Sequence, residues 1–288
     1  MLHSILLTTT LAATASAACS RAFLTKATDA YVAAQSSGSP SGVTSFISAS
    51  INYTENEKQA NIQSGILSQP LKIDHNRSIH DTTACSTFTE LIAASNPHPY
   101  VIGTRMLFSN SSKITTMESI VTQNGDWAFN ATGYLYYDAL ESWAPIPESK
   151  RDSRAVIQAA GDAYFNRFAN ANITVPFGTP CARLEGGAYT GTNNMTGNTC
   201  SLGLPDSTVV TDRRYVLDET LGVVDMFLGF PGLDRSQGNA SMPDSHMFRV
   251  EGGMIRYIHT AGCGMNGTGL PTRRAAGRPL LRKTPFVV

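Results

Sequence analysis

Three stretches of this chain recur in the same order in its second half, and that duplication limits the fold more than any other feature. RAFLTKATDAYVAAQ (21–35) is answered by SRAVIQAAGDAYFNRF (153–168), and both place apolar residues at helical spacing. They share Asp29-Ala30-Tyr31 and Asp162-Ala163-Tyr164, 133 residues apart. RSIHDTTACSTFTELI (77–92) parallels RYVLDETLGVVDMFLG (214–229), with Arg77 and Asp81 matching Arg214 and Asp218 at an offset of 137. PYVIGTRMLFSNSSKITTMESIVT (99–122) parallels PDSHMFRVEGGMIRYIHT (243–260) at an offset of 141. Offsets that grow slowly along the chain are those of a duplicated domain with small loop insertions. Each copy opens with a helix and continues in strand-like runs, so the sequence predicts an α+β domain made twice. An antiparallel sheet is expected to curl around each helix. The division is 18–140, a Pro-containing linker ESWAPIPESKRDS at 141–153, and 154–263, with a basic tail at 264–288.

Residues 1–17, MLHSILLTTTLAATASA, have the apolar stretch and the small-x-small end (Ala15-Ser16-Ala17) of a secretory signal peptide, although no Lys or Arg precedes it. The stretch is too short to span a membrane. Asparagines in N-x-S/T sequons stand at Asn52, Asn76, Asn110, Asn130, Asn172, Asn194, Asn239 and Asn266, as expected of a glycoprotein of a secretory lumen or the exterior. In that compartment Cys19, Cys85, Cys181, Cys200 and Cys263 should form two disulfides and leave one cysteine over. Keeping each bridge within one half favours Cys19–Cys85, plus one bridge among the other three. Net charge is zero and only 15% of residues are charged, so no basic surface points to nucleic acid. The tail carries Arg273, Arg274, Arg278, Arg282 and Lys283 without an acid, which reads as a disordered end or a dibasic processing site.

The hairpin at 243–260 holds the candidate chemistry. Gly252-Gly253 is a two-residue turn signal, and an unbroken ladder from it would oppose residues whose numbers sum to 505. His246 would then face His259 on the side that also carries Phe248, Val250, Ile255 and Tyr257, with Asp244 beside them. Imidazoles titrate near neutrality and suit acid–base work, although such a pair can equally close a sheet edge. The same offset puts Arg105 and Glu118 there in the first half, an ordinary cross-strand ion pair, so imidazole chemistry would belong to the second half. In CARLEGGAYTG (181–191), Arg183 and Glu185 share a strand face, Gly186-Gly187 permits a close backbone approach, and Tyr189 follows. Arg183 and Glu185 could line a pocket or form a surface salt bridge. Arg214 and Asp218, repeated as Arg77 and Asp81, read as a structural ion pair used twice, with Arg214 also available to bind an anion. No HxH or HExxH spacing, Walker loop, Rossmann fingerprint or G-x-S-x-G elbow occurs, so no metal and no cofactor are expected.

The helix at 153–168, the RRYVLDETLGVV strand and the late hairpin together resemble the nuclear-transport-factor-2-like superfamily, which includes SnoaL-like and ketosteroid-isomerase-like proteins. The resemblance spans roughly residues 20–265 and is similar to that of secreted fungal proteins with two such halves. It implies tandem cone-shaped, cystatin-like domains that pack as a pseudo-dimer, each with a curved sheet wrapped on its helix. It also implies a pocket for a small apolar metabolite, polyketide- or terpenoid-derived. The activity implied is that of a cofactor-independent cyclase, isomerase or lyase in secondary metabolism. His246 and His259 would be acid and base, with Asp244 orienting one imidazole. Arg183, Glu185 and Arg214 would bind substrate, and Tyr164 and Tyr257 would line the pocket. The alternative is a secreted glycoprotein that binds a hydrophobic ligand or a partner protein without chemistry.

Overall fold

The computed structural model describes residues 19–206, 208–229 and 242–263. The signal segment, Asn239, Asn266 and the basic tail with Arg273-Arg274 lie outside the described residues.

Both halves begin with a capped helix. Ser20 Oγ accepts a hydrogen bond from Phe23 N at the start of α1 (Arg21–Ser37), and Ser153 Oγ accepts from Val156 N at the start of the later helix, Arg154–Ala169. Gly38 takes the left-handed conformation that ends α1. Leu24, Ala27, Thr28 and Tyr31 are buried on one stripe of α1; Ile157, Ala160, Gly161 and Tyr164 occupy the same stripe 133 residues on.

Strands follow. In the first half they are β1 (Ile47–Glu55), β2 (Lys58–Gln59), β3 (His75–Asp81), β4 (Ser86–Ala93), β5 (Tyr100–Phe108) and β6 (Ile114–Thr122). A short helix α2 (Ala131–Asp138), outside the duplicated stretches, precedes the second long helix, α3 (Arg154–Ala169). The second half continues with β7 (Phe177–Glu185), β8 (Ala188–Tyr189), β9 (Thr211–Asp218), β10 (Val223–Gly229), β11 (Pro243–Glu251) and β12 (Met254–Gly262). The sheets have the orders β2-β1-β6-β5-β4-β3 and β8-β7-β12-β11-β10-β9, the same topology twice. Each sheet is mixed rather than wholly antiparallel, because β1 runs parallel to β6 and β7 parallel to β12. Successive hairpins give antiparallel neighbours, but the first strand of each half returns beside the last by a long crossover.

The strand period sorts side chains into layers. Helix α1 covers one face of the first sheet through Tyr31, Leu91, Ile102 and Met106, and α3 covers one face of the second through Tyr164, Phe165, Phe248 and Ile258. The two remaining faces meet each other, with Ile79, Phe88 and Ile120 packed against Val216, Phe227 and Met247. Phe88 and Phe227 meet edge to face there, with ring centroids 5.9 Å apart.

Reciprocal polar contacts join the halves. Asp81 accepts from Thr83 N and Ala84 N of its own turn, from Leu217 N of the other half, and from both terminal nitrogens of Arg154. Asp218 repeats the arrangement with Thr220 N, Leu221 N, His80 N and Arg21. The expected in-strand pairs Arg77–Asp81 and Arg214–Asp218 are therefore corrected: residues four apart on a strand lie ~13 Å from one another. Arg77 instead bonds Glu90 and Asp138, and Arg214 bonds Glu57 and Glu118.

Disulfides join Cys19 to Cys85 and Cys181 to Cys200, while Cys263 is a buried thiol. The first bridge closes 66 residues and ties the start of α1 to the β3–β4 turn. Replacing Cys19 and Cys85 together by serine is expected to cost about 2 to 4 kcal/mol, because the unfolded chain gains loop entropy. Denaturant midpoints of the variant and the parent check this. The asparagines of the six sequons within the described residues, at 52, 76, 110, 130, 172 and 194, are all exposed.

Candidate active site on the helix-facing side of the second sheet

The Gly252-Gly253 turn forms as expected, with φ of 61° and 71°, and Glu251 faces Met254 and Val250 faces Ile255. Beyond that the ladder slips. A bulge at Arg256 makes Arg249 face Tyr257, Met247 face His259 and His246 face Thr260. One extra residue moves every later β12 side chain to the opposite face. The expected opposition of His246 and His259 is thus corrected, and the two histidines lie on opposite sides of the sheet. The first hairpin has its irregularity near the turn, beyond Leu107, so Arg105 does oppose Glu118, and they bond at 2.6 Å.

The slip divides the expected site residues into two groups. Asp244, His246, Tyr164, Arg183 and Glu185 gather under α3. His259, Tyr257 and Arg214 face away from it: Tyr257 rests against Trp143, and Arg214 pairs with Glu118 and Glu57 of the first half. Tyr257 is displaced by the same bulge, and Arg214 by its pairing with Phe227, whose ring faces the first half.

Under α3 the arrangement is tightly bonded. His246 Nδ1 and Asp244 Oδ1 share a short hydrogen bond, both residues being buried. An ionised carboxylate can only accept, so the bond places the proton on Nδ1 and leaves Nε2 as the basic nitrogen. Burial raises the Asp244 carboxyl, and the His246 imidazole opposes that rise. The imidazole lies against Phe165 at 4.9 Å, Tyr164 at 5.9 Å and Phe248 at 6.1 Å between ring centroids. Burial pushes the Tyr164 hydroxyl far above its ordinary range, opposed by Arg183 beside it, so the phenol stays protonated and able to donate. Arg183 is held by Cys200 O and Leu202 O at 2.7 Å each, and its Nε lies 2.7 Å from Glu185 Oε1. The shared strand face of Arg183 and Glu185 is as expected, but the pair is buried, not on the surface. Glu185 forms the wall of a cavity of roughly 800 Å³, lined also by Tyr137, Tyr189, Asn130, Thr199 and Leu202. The cavity exists because Gly186 and Gly187, with φ of 62° and 128°, let segment 127–130 approach. A Cβ on Gly187 would stand 2.1 Å from Asn130 O.

Sheet pairing gives the equivalent site in the first half. Asp81 pairs with Ser86 as Asp218 pairs with Val223, and three residues further on Thr89 and Met226 pair with Thr104 and His246. His246 therefore matches Thr104, one residue from the Arg105 that the 141-residue offset suggests. In the first half Tyr31 Oη meets Thr104 Oγ1 at 2.7 Å, and Thr104 meets Ser119 Oγ at 2.8 Å, a chain of hydroxyls. The same scaffold carries Tyr164, His246 and Thr260 in the second half, with an acid added at Asp244.

On the other face His259 lies between two carboxylates from earlier in the chain. Its Nδ1 is 3.1 Å from Glu90 Oε2 and its Nε2 is 2.7 Å from Glu141 Oε2. Burial alone would lower the imidazole, but Glu90 and Glu141 raise it to about 10, so it is a cation at neutral pH. Burial would raise Glu90, but the imidazolium, Arg77 and the Tyr134 hydroxyl bring it down to about 2. Glu90, Asp138 and Glu141 carry no motif in the sequence. Only the repeat gives a hint, since Glu118 sits at the place of His259 in the first half.

Among the described residues no helix is long and apolar enough to cross a membrane. No curated protein matches the chain. A family model described as a domain of unknown function (DUF8021) matches residues 150–262, the second copy of the duplicated unit with its bulged hairpin and the Asp244–His246 pair.

Proposed function

We propose that this is a secreted glycoprotein of two ketosteroid-isomerase-like cones packed as a pseudo-dimer, whose second half is a cofactor-independent cyclase, isomerase or lyase. Its substrate is a small apolar carbonyl compound of the kind polyketide and terpenoid chemistry supplies. Secretion and glycosylation are supported by the two disulfides and by exposed sequon asparagines.

The observation that carries the catalytic reading is the Asp244–His246 pair, set among aromatic rings where the first half has Ile102 and Thr104. His246 Nε2 takes a proton from the carbon next to the carbonyl, and the electron pair passes to oxygen. The protonated Tyr164 hydroxyl, beside Arg183, donates to the enolate that forms. Return of the proton to another carbon isomerises the compound. Attack of the enolate carbon on a second carbonyl carbon of the same molecule closes a ring. The π pair of that carbonyl passes to its oxygen, which takes the proton back from His246. The aromatic rings packed on His246 keep water from the imidazole, and substrate would reach it from the cavity at Glu185.

Proton abstraction exchanges hydrogen for deuterium. Wild-type protein in D₂O, given small cyclic enones and β-diketones, should exchange the α-proton above the buffer rate for at least one compound by NMR. His246→Gln should stay folded and lose that exchange. Full exchange in His246→Gln would sink the assignment. A wild type that binds such compounds and exchanges none would be a carrier without chemistry.

A further inference from the structure

We propose that the junction of the two halves is a divalent-cation site, made by Glu90, Asp138 and His259, for a borderline metal such as Zn²⁺. The ligand atoms of these three buried residues all lie within 4.8 Å of one another. His259 Nδ1 is 3.1 Å from Glu90 Oε2 and 3.9 Å from Asp138 Oδ1. Ligands bound at ~2.1 Å in tetrahedral geometry stand about 3.4 Å apart, so the three atoms need only small shifts to close on one ion. One imidazole with two carboxylates suits Zn²⁺ or Mn²⁺ better than a soft metal, which would call for thiolate.

Two further observations point to a ligand here. Asp138 Oδ1 is buried and makes no hydrogen bond. Arg77 Nη2 stands 2.6 Å from it, at ion-pair distance but off the direction a hydrogen bond needs. The charge is also unbalanced. Glu90, Asp138 and Glu141 are three carboxylates against two cations, Arg77 and the His259 imidazolium, so a dication that takes the place of the imidazole proton would leave the group neutral.

The surroundings are those of a supported site. Arg77 bonds Glu90 through Oε1 at 2.8 Å, an oxygen that lies 3.3 Å from His259 Nδ1, and the Tyr134 hydroxyl donates to Oε2 at 2.7 Å. His259 Nε2 is fixed by Glu141, as a metal-bound imidazole is usually fixed by a carboxylate on its other nitrogen. His75 Nε2 lies 3.2 Å from Asp138 Oδ2 and is placed next to the site to supply a fourth ligand. A cleft of roughly 580 Å³, lined by His75, Arg77, Leu135, Asp138, Glu141 and Trp143, gives an ion a way in. The three ligands come from β4, α2 and β12, so a bound ion would tie both halves to the helix between them. That spread is why no ligand spacing shows in the sequence.

The test uses tag-free, full-length secreted protein, stripped with dipicolinate and titrated with Zn²⁺ and Mn²⁺ by calorimetry, with metal content measured after gel filtration. One equivalent of Zn²⁺ is expected, together with a rise in the thermal midpoint. His259 variants lose stability for other reasons, so Asp138→Asn, which keeps the shape, is the diagnostic change. It should weaken Zn²⁺ binding by about tenfold or more while circular dichroism stays unchanged. No saturable binding by the wild type, or wild-type affinity in Asp138→Asn, would overturn the assignment.

Discussion

Replacing His259 by alanine is expected to destabilise the protein by about 3 to 5 kcal/mol, the cost of breaking a buried ion pair by removing one partner. The residue is 1% exposed and its ring bonds a carboxylate on each side. Without it Glu90 keeps Arg77 and Tyr134, but Glu141 keeps only neutral neighbours, Trp143 Nε1 at 3.1 Å and the Tyr189 hydroxyl, among the contacts described. Glutamine at the same place can still bond one carboxylate and should lose less. Trp143, whose ring centroid lies 4.8 Å from that of His259, supplies a fluorescence signal for the denaturation curves.

In metal-free protein the His259 ion pairs also set a pH profile. The folded pKa of His259, about 10, lies above its ordinary 6.5. Its contribution is therefore complete below about pH 6.5 and is lost as pH rises through 10. The folded pKa of Glu90, about 2, lies below its ordinary 4.5, so its contribution is complete above about pH 4.5 and is lost as pH falls through 2. Both are in full force only between about pH 4.5 and 6.5, and stability should peak there. Midpoints in His259→Gln should lose the alkaline limb of that profile and much of the acid one, because the imidazolium is the largest of the groups that hold Glu90 down, ahead of Arg77 and Tyr134.

Much of the architecture could be read from the chain because it was written twice. The shared Asp-Ala-Tyr triplets fix the helix faces, and the matched Arg and Asp residues fix corresponding strands, so the paired topology follows from the offsets. Cys19–Cys85 follows from keeping bridges within a half. What failed was register. The offset of 141 holds for Glu118 and His259 on the last strand, but the preceding strand needs 142, the match of Thr104 to His246. A bulge at Arg256 has no marker in GGMIRYIHT, since no glycine or proline stands at the slip. Period-two reasoning from a turn holds only as far as the first bulge, and each error of one exchanges the two faces. The partners of His259 lie 118 and 169 residues away, a distance that local pattern does not reach.

Asp244→Asn should reduce any proton transfer by His246 by about 10²- to 10⁴-fold while leaving the fold intact. The change keeps the size and shape of the side chain and removes a charge that burial already disfavours, so little stability is at stake. What changes is the tautomer. The ionised Asp244 can only accept, and it holds the His246 proton on Nδ1, which makes Nε2 the basic nitrogen. An asparagine that turns its NH₂ to the ring makes Nδ1 the acceptor and sends the proton to Nε2, where it blocks the base. The ring itself stays clamped between Phe165 and Phe248, so its position cannot explain the loss. Imidazole ¹⁵N shifts distinguish the two tautomers directly, and a packing role for Asp244 would leave them alone. An unchanged exchange rate in Asp244→Asn, with the tautomer shown to be reversed, would remove His246 from the chemistry and leave the pair as a polar contact within an apolar cone.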